Sequence, residues 1–180
     1  VTKYYVTVGR MVREFENGLF EDWKLRVEDA VVLHMKNPIL REENKQIVVN
    51  FSKDLQAVIR EAKYLDRMGL TVPENALNVA LQEEKYIEYV EGLKVMLAHY
   101  HSVVASLTPA ECELLNGKMR ELEDTIRFGF DPLNWNSLAI KDYIERCTRH
   151  INEFSTTLKQ VQMSAYNIES VVISIMNANL

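Results

Sequence analysis

The sequence predicts an all-α protein, an elongated bundle of long helices carrying one small β-hairpin. Three observations predict it. Only 6 Gly and 4 Pro punctuate 180 residues, too few for the many turns of an all-β sandwich. Apolar residues recur at spacings of three and four rather than two. In the last quarter of the chain that spacing continues without Gly or Pro for about five heptads.

The first element is expected from about Lys3 to Met35. Tyr5, Val8, Val12, Phe15, Leu19, Trp23, Val27 and Ala30 form one amphipathic stripe. Gly9 and Gly18 weaken this helix by roughly 1 kcal/mol each relative to Ala, which makes Gly18 a candidate break. Asn37-Pro38 ends it, because proline pushes the preceding residue out of the helical region. Ile39-Leu40 and Ile47-Val48-Val49-Asn50-Phe51 then flank a polar tip, Arg41 to Gln46, and read as a hairpin. Such a hairpin is marginal alone and needs a helix to lie on.

Ser52 is a suitable N-cap for a helix with Leu55, Val58, Ile59, Ala62 and Leu65 on one face, stopped at Gly69. Pro73 suits a first helical turn, and one long helix is expected from there to Ser106. Its stripe is Tyr86, Val90, Leu93, Leu97, Tyr100, Val104 and Leu107. Thr108-Pro109-Ala110-Glu111 has the residues of a reciprocal cap, hydroxyl to backbone N–H and carboxylate back to the cap's own N–H. The helix it starts runs through Leu115, Met119, Leu122 and Ile126 to Gly129. After the turn at Phe130-Asp131-Pro132, the last helix places Ile140, Ile144, Cys147, Ile151, Phe154, Leu158, Val161, Ala165, Ile168, Val172 and Ile175 on one seam. A strict 3.5-residue repeat asks for lengthwise packing, and about 40 residues of helix extend roughly 60 Å. In domain terms this gives a helix over 1–38, a hairpin over 39–51 and one continuous helical bundle over 52–180.

Composition excludes several function classes. With 21 Lys+Arg against 26 Asp+Glu, the net charge is -5 and no concentrated basic stripe awaits nucleic acid. No apolar run is long enough to span a membrane. The start at Val1, with neither initiator Met nor signal-peptide pattern, reads as an internal fragment. Cys112 and Cys147 form no disulfide framework and suit a reducing compartment. The glycines never supply the pair of a phosphate-binding loop followed by Lys and Ser or Thr, so no nucleotide cofactor is expected.

Candidate chemical groups reduce to structural ones. Cys147 and His150 have metal-ligand spacing, but a structural zinc needs four ligands and the second pair is missing. A helix points His99 and His101 to different faces. Glu83-Glu84 and Glu121, Glu123 and Asp124 read as solvated faces, with nothing nearby to raise a carboxyl pKa. Tyr86 and Tyr100 belong to the core stripe rather than to a stacking platform for bases, and Trp23 and Trp135 read as anchors between elements. No catalytic, cofactor or metal site is expected.

The central block carries a resemblance. Val48-Val49-Asn50-Phe51, Leu55, Val58-Ile59-Arg60-Glu61-Ala62-Lys63-Tyr64-Leu65, Met68-Gly69-Leu70 and Val72-Pro73 resemble the N-terminal tail of dynein heavy chains. Trp23 ahead of the hairpin, and Leu133-Asn134-Trp135-Asn136-Ser137-Leu138 ahead of the last helix, fit the same pattern. The likeness extends from about Phe15 to the end, and the wording is nearer the axonemal heavy chains than the cytoplasmic ones. Ser52 departs from it by standing where the family often has Asp, although both residues cap helices. The resemblance implies that Asn50, Phe51, Leu55, Ile59, Arg60, Glu61, Leu65, Gly69, Pro73 and Trp135 determine the fold: Leu55, Ile59, Leu65 and Trp135 by packing, Asn50 and Pro73 by shaping turns. It also implies one bundle of a non-catalytic rod in the axoneme of a cilium or flagellum, a microtubule-associated part of the cytoskeleton. That rod joins a distant ATP-driven motor to intermediate chains, light chains, other heavy chains and axonemal docking components. Two other readings of the residues remain: a spectrin-like scaffold dimerising through the Ile140–Ile175 seam, and a metal-binding helical protein using Cys147, His150 and Cys112.

Overall fold

The computed structural model describes residues 2–178, with side chains from residue 3. Among the described residues there are seven helices and one two-stranded antiparallel hairpin, so the all-α expectation with a single hairpin holds. The chain compacts into two units. One gathers 1–37, 50–88 and 134–136; the other gathers 38–49, 89–133 and 137–180.

In the first unit, α1 (Thr2–Met35) is one helix of 34 residues, unbroken at Gly18. Its stripe is buried only from Trp23 onward, at Trp23, Val27, Val31 and Met35. Tyr5, Val8, Val12, Phe15 and Leu19 are exposed, which corrects the expectation that the whole stripe packs. The reason is reach, because α1 packs on α2 (Lys53–Arg67) and α3 (Glu74–Leu81), and these are short. Ser52 caps α2 by accepting from the Asp54 N–H. Gly69 ends it with a φ of 79°, while the Leu70 N–H reaches the Leu65 carbonyl at 3.0 Å. That six-to-one bond over a left-handed residue is why glycine stands there. Leu55, Val58, Ile59 and Ala62 of α2 are buried with Ala76, Val79 and Ala80 of α3. Lys63 of α2 pairs with Glu83.

The expected single helix from Pro73 to Ser106 is two. Pro73 is the N-cap of α3, and the chain breaks at Gln82 (φ -97°, ψ 14°) before α4 (Glu83–Ala105). The break re-aims the chain, so that Val79 and Ala80 before it and Tyr86 after it are all buried.

In the second unit, β1 (Leu40–Glu43) pairs with β2 (Gln46–Val49), Glu43 opposite Gln46. The two-residue loop holds Asn44 at φ 51° and Lys45 at φ 62°, the double left-handed geometry that matches strand twist. Ile39 and Leu40 at its base are fully buried. Thr108 forms the expected reciprocal cap: its N–H reaches Glu111 at 2.7 Å, and its hydroxyl accepts from the Glu111 N–H at 3.4 Å. The helix that follows is divided at Leu115 (φ -99°, ψ 10°) into α5 (Pro109–Leu114) and α6 (Asn116–Arg127). Leu115 itself is buried, so the chain bends where a side chain is held in the core.

The final helix, α7 (Ile140–Ala178), runs 39 residues without interruption and packs on α6. Ile140, Cys147, Ile151, Phe154 and Leu158 are buried as the seam requires, joined by Tyr143. Beyond Leu158 the seam is uncovered: Ile168, Val172 and Ile175 are exposed. Between Gln160 and Ala178, Glu169 is the sole charged side chain. From Gln162 to Ala178 every side chain of the helix is exposed.

Candidate functional site

Two tryptophans organise the first unit. Trp135 is 1% exposed, and its indole N–H donates to the Asn50 carbonyl at 2.8 Å. Phe51 meets its ring edge-on at 4.7 Å between centroids and stacks at 6.2 Å on Tyr86. Asn136 donates to the Met35 carbonyl at 3.3 Å, which satisfies a carbonyl left open at the end of α1. The motif residues Asn50, Phe51 and Trp135 therefore stand in one cluster.

The second tryptophan lies on α1. The Trp23 indole N–H donates to Glu61 Oε2 of α2 at 2.8 Å, and Phe20 stacks on the Trp23 ring at 5.9 Å, with the Lys24 ammonium 5.0 Å over Phe20. Beside this clamp α1 and α2 enclose an open groove of about 570 Å³. Leu19, Phe20 and Trp23 wall one side, and Tyr64, Leu65 and Met68 the other. Of the remaining motif residues, Leu55 and Ile59 are buried and Leu65 is half-buried, while Arg60 is exposed.

In the second unit the groups proposed for metal chemistry are engaged locally. The Cys147 thiol faces the Thr125 carbonyl at 3.9 Å, and His150 Nδ1 meets the Thr125 hydroxyl at 3.1 Å. Burial pushes the Cys147 thiol up to about 11, the direction of an unreactive thiol rather than a metal-binding thiolate. Among the described residues no three His, Cys, Asp or Glu side chains gather as a metal site would require. Burial also raises the phenol of Tyr143, which donates to the Ile126 carbonyl at 2.8 Å. Tyr100 shifts the same way, through burial and then the Glu123 carboxylate. His99 and His101 are both half-buried.

Gly129 was not singled out by spacing, yet no other residue fits its place. A Cβ there would lie 2.5 Å from Leu40 Cδ1 and 2.6 Å from the Tyr143 hydroxyl, while its carbonyl accepts from the Leu40 N–H at 2.9 Å. Tyr143 had a legible signal, standing three residues after Ile140 and four before Cys147. The Trp23–Glu61 bond had none, since it joins residues 38 apart.

No described helix is long and apolar enough to cross a membrane. The dynein-1-alpha heavy chain of the flagellar inner arm I1 complex of Chlamydomonas reinhardtii is 41% identical over 182 residues, covering 100% of this chain and 4% of that protein. Dynein axonemal heavy chain 10 of Homo sapiens is 38% identical over 192 residues, again 100% of this chain and 4% of that protein. The ciliary dynein beta chain of Heliocidaris crassispina is 26% identical over 170 residues, 93% of this chain and 4% of that protein. This chain thus spans 4% of the length of each of these relatives. The family described as dynein heavy chain, N-terminal region 1, matches residues 1–143, and the chain belongs to it.

Proposed function

We propose that this chain is a non-catalytic structural segment of the tail of an axonemal dynein heavy chain. In this role it forms part of the rod between an ATP-driven microtubule motor and the components that fix it to the outer doublet of a cilium or flagellum. The observation that carries the reading is the match of residues 1–143 to the heavy-chain N-terminal region, with relatives that are flagellar, axonemal and ciliary heavy chains. The architecture supports it: helices of 34 and 39 residues suit a load-bearing rod better than a pocket for chemistry. Partners in this reading are dynein intermediate chains, light chains and neighbouring heavy chains. Affinity capture from axonemal extract tests it, with Phe154→Asp as the misfolded control. Recovery of dynein intermediate or light chains by the native chain alone is expected. A folded bait that recovers no dynein subunit contradicts the scaffold role.

The dimerising scaffold remains as a narrower reading, because Ile140, Cys147, Ile151, Phe154 and Leu158 are already buried and the free part of the seam is its far end, Ala165, Ile168, Val172 and Ile175. Sedimentation at rising concentration separates the two: a self-dimer lost on Val172→Asp favours it, and a persistent monomer removes it.

A further inference from the structure

We propose that the outer edge of β2 is a docking site for an extended strand of another polypeptide. The strand adds antiparallel to the hairpin and places one long apolar side chain in the cavity beside Ile47. This rests on the scaffold reading above and adds to it a place and a mode of binding.

The edge follows from the register. A two-residue loop makes Glu43 and Gln46 the first hydrogen-bonded pair and Arg41 and Val48 the next. Glu42 opposite Ile47, and Leu40 opposite Val49, therefore turn their main-chain groups outward. On β1 the outward Leu40 N–H is taken, since it reaches the Gly129 carbonyl at 2.9 Å. On β2 the outward N–H and carbonyl of Ile47 and of Val49 have no hydrogen-bond partner among the described residues. Gln46 is exposed and Ile47, Val48 and Val49 are half-buried. From Gln46 to Val49 there is neither a charge nor a proline, the side chains that keep a free edge from pairing. The partner that matches donors and acceptors alternating along a line is another extended backbone.

So short an edge binds weakly through its backbone alone, and side-chain burial must supply the rest. Ile47 lines a cavity of about 380 Å³ together with Tyr100, Ile126 and Phe130. Opposite residues of an antiparallel pair share a face with their Cβ atoms about 5 Å apart, so the residue opposite Ile47 stands at this cavity. Glu42, Glu123 and Arg127 also line it and carry both signs. Charge therefore does not select the occupant; length and apolar area do. A second copy of this chain is the poorer match. Its β2, paired antiparallel about Val48, sets Val49 opposite Ile47, and a valine is too short to fill the cavity.

The probe is the peptide Thr-Val-Thr-Leu-Thr-Val-Thr, blocked at both ends and titrated into the isotope-labelled chain. Before addition, the Ile47 and Val49 amides should exchange with solvent faster than the Val48 amide, and saturating peptide should slow both about tenfold or more. Replacing the central Leu by Ala should weaken binding about tenfold. N-methylation of that Leu, whose N–H faces β2, should abolish binding. N-methylation of a flanking Thr, whose N–H faces away, should leave it within about twofold. Val49→Pro removes one outward donor without touching a hairpin bond and should weaken binding about tenfold. The N-methyl comparison leaves the chain unaltered, so it decides even where Val49→Pro misfolds. Equal loss from the two N-methyl peptides, equal binding of the Ala peptide, or no saturable binding up to about 1 mM peptide would each overturn the proposal. So would Ile47 and Val49 amides as slow as Val48 without peptide, or protection that rises with chain concentration alone and so gives the edge to a second copy. None of these results bears on capture of dynein subunits from axonemal extract, so the two readings fail separately.

Discussion

A fully buried tryptophan needs an acceptor for its indole N–H, and Trp135 finds one in the backbone rather than in a side chain. The Asn50 carbonyl can serve only because the chain leaves the hairpin there before Ser52 begins α2. Trp135 was legible as an anchor because a large aromatic between two turns has few other roles. Its partner was not legible, since they lie 85 residues apart. Cysteine reasoning held better. Cys147 falls on an apolar seam and is buried, whereas the exposure of Cys112 was not legible, since it stands three residues before Leu115 at stripe spacing and yet faces solvent. Two outcomes follow for the thiols. One equivalent of a thiol reagent should label the native chain quickly at Cys112, and the second only on unfolding. Folding also raises the Cys147 pKa, so the unfolded state ionises first as pH increases. The stability that this burial contributes is intact below about 9 and is lost as pH climbs to about 11. Urea midpoints across that range should fall, and less steeply in Cys147→Ala; an equal slope in both would show that Cys147 is not buried.

Among the elements, the caps and stops were the most readable, because each is settled within four residues. Thr108 shows it: hydroxyl, proline and carboxylate at the right spacing produced both cap bonds. Backbone and hydroxyl hydrogen bonds from Thr108 hold the Glu111 carboxyl below its usual range, so this contribution is present above the ordinary glutamate range and fades as pH falls through the lowered value. Thr108→Ala should cost about 1 kcal/mol in denaturant unfolding, and an unchanged midpoint would mean that the cap adds nothing. The breaks at Gln82 and Leu115 were not readable, since each interrupts an apolar pattern without a glycine or proline. What sets them is where Tyr86 and Leu115 are buried, a tertiary preference that overrides continuous helix. The reverse happened in α1, which stays helical through Gly9 and Gly18. A Cβ at either meets nothing within 4 Å. Gly9→Ala and Gly18→Ala should each stabilise α1 locally by roughly 1 kcal/mol, measured as slower amide exchange around the site. Faster exchange would indicate that α1 bends there.

Across the whole molecule the sequence predicted the composition of the fold but not which surfaces it leaves bare. Periodicity says that a stripe will be buried without saying by what, and α1 and α7 each have a covered half and an open half. A single seam should then respond in two ways. Phe154→Asp puts an unpaired charge at a buried position and should cost about 3–5 kcal/mol. Val172→Asp, on the same seam but 48% exposed, should change stability by no more than about 0.5 kcal/mol in the isolated chain. Similar losses at both positions would mean that the far half of α7 is covered after all. Those open halves are what a segment spanning 4% of a much longer relative requires if it works by being packed upon.

The most direct measurement of the scaffold role is crosslinking with mass spectrometry on intact dynein extracted from axonemes, read at the lysines and carboxylates of this segment. The account predicts crosslinks from α1 and from the far half of α7 to other dynein polypeptides or to other parts of the heavy chain, alongside links within each unit. A segment that crosslinks densely within itself and to nothing else in the assembled complex would contradict it.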